Sequence, residues 1–255
     1  LVGSEMCIRD RIYIGDKMEK IEQLKKIINE TNQIVFFGGA GVSTESMIPD
    51  FRGNHGLYQK KNYPYPVEIM LSKTFFDHHK KEFYDFYLTE MIYPNALPNL
   101  AHIALATLEK RGKLQAVITQ NIDGLHQKAG SKNVIELHGS VKRNYCMKCK
   151  HFYNELDIIT YLGICPTCGG YIKPDVVLYE EPLNEEAIEQ AIQYIMHAEV
   201  LIVGGTSLSV YPAAGFLQYF KGKYLVIINK DTTPFDHRAN LVLNDSIGTV
   251  LGKVI

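Results

Sequence analysis

The segment QIVFFGGAGVS, residues 33–43, decides the fold class of this chain. Its first half is a short apolar run, which is typical of a strand that is buried on both faces of a parallel sheet. The run stops at a cluster of glycines, and such a turn lets the backbone approach a pyrophosphate closely. The segment therefore predicts a buried strand that leads into a ligand loop. A tight turn without a ligand is the alternative, because glycines serve turns in general.

Strands and amphipathic helices alternate along the rest of the chain. The hydrophobic periodicity predicts helices over residues 18–30, 72–93, 99–111, 184–197 and 213–220. Short apolar runs predict strands over residues 33–37, 114–119, 133–137, 175–179, 200–203, 224–228 and 241–243. This order indicates an α/β fold, in which a Rossmann-like domain is built on a parallel sheet. Residues 141–173 interrupt the alternation, so we expect a smaller inserted domain there.

The composition excludes several classes of protein. The chain has 255 residues, of which 46% are hydrophobic and 22% charged, and its formal net charge is -1. These values are typical of a globular protein and not of a disordered one. The balanced charge argues against direct nucleic-acid binding that depends on net charge. The longest apolar runs are far shorter than the ~20 residues of a membrane span, so no membrane partner is expected.

Residues 1–17 stand apart from this pattern. They lack the apolar core of a signal peptide, and the helical periodicity begins at Met18. We therefore expect a leader that is disordered or foreign to the fold, such as a tag or an artefact of the gene sequence. A strand over residues 12–14 is the alternative. Because no secretory leader is recognisable, the five cysteines, including Cys7 in this stretch, favour a reducing, cytoplasmic compartment.

Four of the cysteines form two Cys-x-x-Cys pairs, Cys146/Cys149 and Cys165/Cys168. Their spacing is that of a zinc ribbon. Four thiolates complete a tetrahedral shell around Zn²⁺ and leave no position for water, so the metal is expected to be structural. Iron or a redox disulfide is the alternative. We predict one structural Zn²⁺ per chain.

Polar residues follow several of the predicted strands, where α/β sheets bind their ligands. Amide and carboxylate side chains in residues 120–123 suit a ribose or a carboxamide, and a helix cap is the alternative. His138, at another strand end, is a candidate general base, although a lone histidine can also be a hydrogen-bonded core residue. The glycine loop does not meet the Gly-x-Gly-x-x-Gly fingerprint, because its last position is Thr44. A dehydrogenase is therefore disfavoured.

Together these motifs resemble the sirtuin family, the NAD-dependent protein-lysine deacylases, from about Met18 to the C-terminus. The resemblance rests on Gly39-Ala40-Gly41-Val42-Ser43, Ile48-Pro49-Asp50-Phe51-Arg52, Thr119-Gln120-Asn121-Ile122-Asp123-Gly124-Leu125-His126, His138-Gly139, the four cysteines, Gly205-Thr206-Ser207-Leu208 and Ile228-Asn229. It implies a Rossmann-like NAD-binding domain of residues 18–50, 94–140 and 174–255. A small domain of residues 51–93 and 141–173 would combine a helical insertion with the zinc module.

The resemblance also implies which residues act. His138 would be the general base toward the ribose hydroxyls, and Asn121 would position ribose or water. An acetylated peptide would pair as an extended strand with Val176, Val177, Leu178, Tyr179 and Glu181. NAD, the co-substrate, would contact Gly39, Ala40, Gly41, Thr44, Asp50, Phe51, Arg52, Gln120, Asn121, Ile122, Asp123, His138, Gly205, Thr206, Ser207, Asn229, Lys230 and Ile247.

The implied activity is deacetylation of protein lysine, with nicotinamide and O-acetyl-ADP-ribose as the other products. A mono-ADP-ribosyltransferase on the same fold and a non-catalytic zinc-ribbon binding module are the alternatives. A monomer is expected. Met47 and Glu180 stand where the family usually has glycine. A positive φ at residue 47 would cost Met about 1 kcal/mol, and Glu180 is expected to shift the peptide preference.

Overall fold

The structure, a computed structural model, describes residues 2–53, 56–60, 63–209 and 211–255, without the side chains of residues 2–15 and 213. Its strands are β1 (Ile34–Gly38), β2 (Leu114–Thr119), β3 (Val134–Glu136), β4 (Gly139–Cys146), β5 (Phe152–Tyr153), β6 (Ile172–Val176), β7 (Val200–Gly204), β8 (Tyr224–Ile228) and β9 (Leu241–Leu243). Its α-helices are α1 (Val2–Glu30), α2 (Val67–Met70), α3 (Lys73–His78), α4 (Lys80–Glu90), α5 (Leu100–Lys110), α6 (Leu125–Lys128), α7 (Glu155–Thr160), α8 (Glu185–His197) and α9 (Ile247–Leu251).

The main sheet is parallel and has the strand order β3-β2-β1-β7-β8-β9. Successive side chains of a strand face opposite sides of a sheet. Ile34 and Phe36 of β1 accordingly join a core with α1, α5 and α9, whereas Val35 and Phe37 join a second core with α8. Burial on both faces explains why β1 is a continuous apolar run, and it confirms the predicted α/β fold.

A third core lies outside this sheet. It is built from apolar side chains of residues 57–92 and 141–178, and it contains the three-stranded sheet β5-β4-β6. Aromatic rings dominate it: the centroids of Phe76 and Phe83 are 4.8 Å apart, and those of Phe83 and Tyr87 are 5.4 Å apart. The helical insertion and the cysteine-bearing segment therefore pack together, although 48 residues, including β2 and β3 of the main sheet, separate Ile92 from Val141 in the sequence.

Several predicted elements have different limits in the structure. The helix predicted over residues 72–93 is interrupted at His79, where φ is -128° and ψ is 54°, so that α3 and α4 are separate helices. The strand predicted over residues 175–179 begins at Ile172 and ends at Val176. The helix predicted over residues 213–220 is a 3₁₀ helix, Ala213–Tyr219. Residues 141–173, predicted as a smaller inserted domain without assigned elements, form most of β4 together with β5, α7 and part of β6.

The expectation of a disordered leader is wrong for the backbone. α1 is continuous from Val2 to Glu30, so residues 2–17 are helical and the alternative strand over residues 12–14 is also wrong. Lys17 forms an ion pair with Asp245, which precedes α9. The side chains of residues 2–15, and Cys7 among them, lie outside the described part of the structure, and the view that the leader is foreign to the protein stays a prediction.

Among the described residues, no helix combines the length and the apolar character that crossing a membrane requires.

Candidate active site

The site lies where the strand order of the main sheet reverses. The chain proceeds from β1 to β2 on one side, and later places β7 on the other side of β1. In parallel α/β sheets, the crevice at such a switch point is the usual ligand site. Gly38 is paired with Thr119 of β2 and with Gly204 of β7. The loops that follow these three strands therefore start side by side.

The glycine loop after β1 contacts the loop after β7 through the main chain. The amide of Gly39 donates to the carbonyl of Gly204 at 3.2 Å, and the amide of Gly41 donates to that of Gly205 at 2.8 Å. A Cβ atom on Gly41 would lie 2.8 Å from the Cα of Gly205, and one on Gly39 would lie 2.8 Å from the Cβ of Thr206. The glycines are thus required for close approach of the two loops, independently of any ligand.

A buried polar network follows β2. The hydroxyl of Ser43 donates to Oδ2 of Asp123 at 2.6 Å and accepts a hydrogen bond from Nδ2 of Asn121 at 3.1 Å. The other carboxylate oxygen of Asp123 accepts the amide of Leu125 at 2.8 Å. Asn121 and Asp123 are thereby held in fixed orientations at the sheet edge. The sequence analysis did not predict Ser43 as a site residue. The only sequence feature that could have indicated it is its position at the end of the glycine motif, residues 39–43.

His138 follows β3 and is oriented by the main chain. Its Nδ1 lies 2.8 Å from the carbonyl oxygen of Gln120. Because a carbonyl oxygen can only accept, Nδ1 carries the proton and Nε2 presents a lone pair. Burial lowers the pKa of His138 below its ordinary value, against the opposing effect of this hydrogen bond. The imidazole is therefore neutral at neutral pH, as a general base requires.

The main chain also joins His138 to the segment predicted to bind peptide. The amide of Val177 donates to the carbonyl of His138 at 3.0 Å. Gly139 has φ 76°, and a Cβ atom there would lie 2.0 Å from the carbonyl oxygen of Asp175. Glycine beside the histidine is thus required for the pairing of β4 with β6, and this pairing places Val177 next to His138.

The segment predicted to bind peptide, residues 176–181, alternates in burial. Val176 and Leu178 belong to the third core, whereas Tyr179 is 41% exposed. The amide and carbonyl of Tyr179 already bond to Leu71 and Lys73. Glu181 folds back, and its Oε2 accepts hydrogen bonds from the amide of Leu178 and from Nζ of Lys173, both at 3.0 Å. A peptide strand must therefore use the remaining main-chain groups of the segment.

The loop after the glycine turn reaches toward this segment. Oδ1 of Asp50 accepts the amide of Gly53 at 2.8 Å, which shapes the loop. The ring of Phe51 lies 5.6 Å from that of Tyr58, and the guanidinium carbon of Arg52 lies 5.2 Å from the same ring. The hydroxyl oxygens of Tyr58 and Tyr179 are 2.5 Å apart. A hydrogen bond thus joins Tyr58, which contacts the predicted cofactor residues Phe51 and Arg52, to the segment predicted to bind peptide.

The predicted cofactor residues in the C-terminal part of the chain, from Thr206 to Ile247, are only partly on the surface. Oγ1 of Thr206 accepts a hydrogen bond from Nε2 of Gln120 at 3.3 Å, so two of the predicted cofactor residues are in direct contact. Asn229 bonds through Nδ2 to the carbonyl of Asp231 at 2.8 Å, and Lys230 is exposed. Ile247 is 2% exposed and packs under Gly204, where an added Cβ would lie 1.9 Å from its Cδ1. The side chain of Ile247, predicted to contact NAD, thus lies in the hydrophobic core. The other predicted cofactor residues with described surroundings (Ala40, Thr44, Ile122 and Ser207) are partly buried along the same loops.

Both departures from glycine have positive φ angles. Met47 has φ 64° and Glu180 has φ 76°, in the left-handed region that costs residues with a Cβ atom about 1–2 kcal/mol. The side chain of Met47 is 87% exposed. Oε2 of Glu180 instead accepts hydrogen bonds from the amide and the hydroxyl of Thr74, at 2.8 and 2.7 Å. The expected strain at Met47 is therefore confirmed in its geometry, and Glu180 has bonds that offset a similar strain.

The four cysteines of the zinc-ribbon motif lie together. Their sulfur atoms are all within 4.8 Å of one another, with Cys146 and Cys168 at 3.4 Å, Cys165 and Cys168 at 3.5 Å, and Cys149 and Cys165 at 3.7 Å. A tetrahedral shell with metal–sulfur bonds of about 2.3 Å places sulfur atoms about 3.8 Å apart. The cluster therefore fits a single tetrahedrally bound metal ion.

Comparison with known proteins agrees with this geometry. The Sir2 family profile matches residues 39–212. The NAD-dependent protein deacetylase of Clostridium perfringens is 60% identical, over 93% of this chain and 99% of that protein. The one of Clostridium tetani is 58% identical, over 93% of this chain and 98% of that protein.

Solved structures give the same result. A Sir2 structure with a deacetylated p53 peptide and 3'-O-acetyl ADP ribose has a TM-score of 0.84 and 41% identity, and covers 92% of this chain and 96% of that chain. A Sir2 structure with a p53 peptide and NAD+ has a TM-score of 0.81, also with 41% identity and with coverage of 92% of this chain and 96% of that chain. The chain belongs to the Sir2 family.

Proposed function

We propose that this protein is an NAD-dependent protein-lysine deacetylase that releases nicotinamide, O-acetyl-ADP-ribose and the deacetylated lysine. The observation that carries the proposal is the state of His138, a neutral imidazole whose Nε2 presents a lone pair beside the switch point of the sheet. The relatives named NAD-dependent protein deacetylase support it.

When NAD is bound, it supplies the electrophilic ribose carbon and nicotinamide as leaving group. The protein's own residues would bind and orient NAD and protect the reacting atoms from water. Asp123 and Asn121 are both held by Ser43. The carboxylate of Asp123 would recognise the carboxamide, and the amide of Asn121 would position the ribose or a water molecule. His138 would accept a proton at Nε2 from a ribose hydroxyl. A base positioned in this way typically accelerates the reaction by about 10²–10⁴-fold. Phe51, on the loop that reaches the peptide segment, would exclude water from the reacting atoms.

The acetylated peptide would lie along residues 176–181 as an added strand, a mode in which main-chain bonds give affinity. The bond between the amide of Val177 and the carbonyl of His138 supports this placement, because it sets the segment next to the proposed base. Similar solved Sir2 structures contain a deacetylated or an acetylated peptide. The lysine would then extend between the segment and Phe51 toward His138.

The metal of the four-cysteine cluster is proposed to be Zn²⁺ in a structural role. Four thiolates and no water position are typical of structural zinc, and the sulfur spacing supports a tetrahedral ion. Metal analysis of the purified protein should return about one zinc per chain. The monomeric state, the cytoplasmic location and the absence of a direct nucleic-acid partner stay predictions.

A single assay tests the function. The protein is incubated with NAD and an acetylated peptide, while nicotinamide, deacetylated peptide and protein-linked ADP-ribose are followed together. We expect equal amounts of nicotinamide and deacetylated peptide, with an unacetylated peptide as the control. Nicotinamide release accompanied by protein-linked ADP-ribose instead would indicate a mono-ADP-ribosyltransferase. No nicotinamide release with any peptide would favour the non-catalytic alternative.

A further inference from the structure

A cleft of about 490 Å³ opens between the peptide segment and the helical insertion. Residues of α2 and α3 line one side of it, together with Tyr65, and Tyr179 and Glu180 line the other. The last two belong to the segment that is proposed to bind the peptide. A side chain of a bound peptide therefore has direct access to the cleft, although no step of the proposed reaction uses it.

Aromatic rings form much of the lining. The ring centroids of Tyr65 and Phe75 are 5.2 Å apart, and Phe75 stacks on His79 with centroids 4.8 Å apart. Tyr65 and Tyr179 are 42% and 41% exposed, so their rings are accessible from solvent. Such surfaces suit the alkyl stem of a long side chain, and the face of an aromatic ring attracts a cation.

The charges of the lining have one sign. Glu68 and Glu180 contribute carboxylates, and no lysine or arginine is found among the described residues that line the cleft. Hydrogen bonds from Thr74 lower the pKa of Glu180, which keeps this carboxylate ionised. Lys73 lies next to the lining in sequence, but it forms an ion pair with Asp77. With histidine counted as neutral, the lining is therefore negative.

We propose that this cleft is a subsite for a basic side chain, lysine or arginine, of a residue that flanks the acetyl-lysine in the substrate. The proposal rests on the proposed function, because the bound peptide brings the side chain to the cleft. The alkyl stem would lie against Tyr65 and Phe75, and the cationic end would approach Glu68 and Glu180. An apolar side chain would gain the ring contacts alone. The two carboxylates would therefore make the cleft prefer a basic side chain over an apolar one.

The test uses acetylated peptides that carry lysine, or its uncharged analogue norleucine, at each flanking position in turn. At one position we expect lysine to exceed norleucine about threefold to tenfold in kcat/KM, which is the scale of an exposed ion pair with a cation–π contact. The advantage should shrink in high salt, because exposed charges are screened. Fluorescence anisotropy with the same peptides measures the preference as an affinity ratio that is independent of turnover.

Variants locate the preference. Glu68→Gln should bring the lysine-to-norleucine ratio close to one, and Glu68→Lys should invert it, whereas Glu189→Gln on the remote α8 should keep it. Equal use of both peptides at every position, or a ratio that Glu68→Gln leaves intact, would overturn the proposal. A preference for norleucine would make the cleft an apolar subsite. If no peptide is deacetylated, the proposed function fails, and the affinity ratio still decides whether the subsite exists.

Discussion

The two sides of the proposed active site are held together by different means. On the cofactor side, main-chain bonds and glycines join the loop after β1 to the loop after β7. On the peptide side, side chains add to the main-chain bonds, through the hydroxyls of Tyr58 and Tyr179 and through the bonds of Glu180 to Thr74. Contact between main chains needs glycine and so leaves a recognisable motif. Contact through side chains depends on individual residues, and it can change without disturbing the fold.

The largest expected effect tests whether the chemistry depends on the base at the sheet edge. His138→Ala should lower kcat/KM about 10²–10⁴-fold, because the proposed general base is lost while the fold and the other proposed contacts with peptide and cofactor remain. His197→Ala, at the exposed end of α8, is the matched control and should retain activity. Steady-state kinetics with an acetylated peptide measures both. A loss below tenfold in His138→Ala would contradict the assignment of the base.

The next effect concerns the glycine contact of the cofactor side. Gly205→Ala should lower the free energy of unfolding by about 2–5 kcal/mol, since the residue has φ 60° and its new Cβ would lie 2.3 Å from the amide nitrogen of Val42. Gly112→Ala has a similar φ of 70° with nothing within 4 Å of the added Cβ, and should cost only about 1 kcal/mol. Chemical denaturation compares the two, and equal losses would show that strain alone, without loop contact, sets the effect.

Acid should weaken the cofactor side through a buried histidine pair. The rings of His102 and His126 are 4.7 Å apart, and burial lowers the pKa of His102 to about 4 and that of His126 to about 3. The negative charge of Asp123 opposes the shift at His102. The unfolded chain, with ordinary histidine pKa values near 6.5, binds these protons first. Stability is therefore fully present above about pH 6.5 and is lost as the pH falls toward the folded values.

At pH 5 this loss amounts to at most about 2 kcal/mol per histidine. Unfolding free energies at neutral pH and at pH 5 measure it. His126→Phe keeps an aromatic ring in the core and should flatten the pH dependence. An unchanged pH dependence in this variant would show that other groups are responsible for the acid sensitivity.

The smallest expected effects concern Met47 on the cofactor side and Glu180 on the peptide side, which both have positive φ angles. Met47→Gly removes backbone strain and no hydrogen bond, so we expect stability to rise by about 1 kcal/mol or less. Glu180→Gly removes similar strain but also both bonds to Thr74, each worth about 1 kcal/mol, so stability should fall slightly. Thermal melts of the two variants should thus shift in opposite directions. A rise in both would mean that the bonds of Glu180 do not offset its strain.

The main sheet was predictable because each strand was a short apolar run. The clustering of the four cysteines was predictable because metal ligands require a fixed spacing in the sequence. The break between α3 and α4 at His79 was not predictable, since neither proline nor glycine marks it. Among the strands around the cysteines, β5 was missed because two residues cannot show a period, and β4 was missed because buried and exposed residues do not alternate regularly along it. The helical backbone of residues 2–17 was missed because their apolar residues do not follow a helical period.

The sequence by itself determined the α/β architecture, the loops at the strand ends and the four-cysteine cluster, because periodicity, glycine turns and ligand spacing are local properties of the chain. The tertiary structure decided which nitrogen of His138 presents its lone pair, and that Ser43 orients Asn121 and Asp123. It also decided the cleft beside the peptide segment, where Thr74 and Glu180 are 106 residues apart in sequence. These features depend on contacts between distant residues, whose partners no local pattern of the sequence specifies.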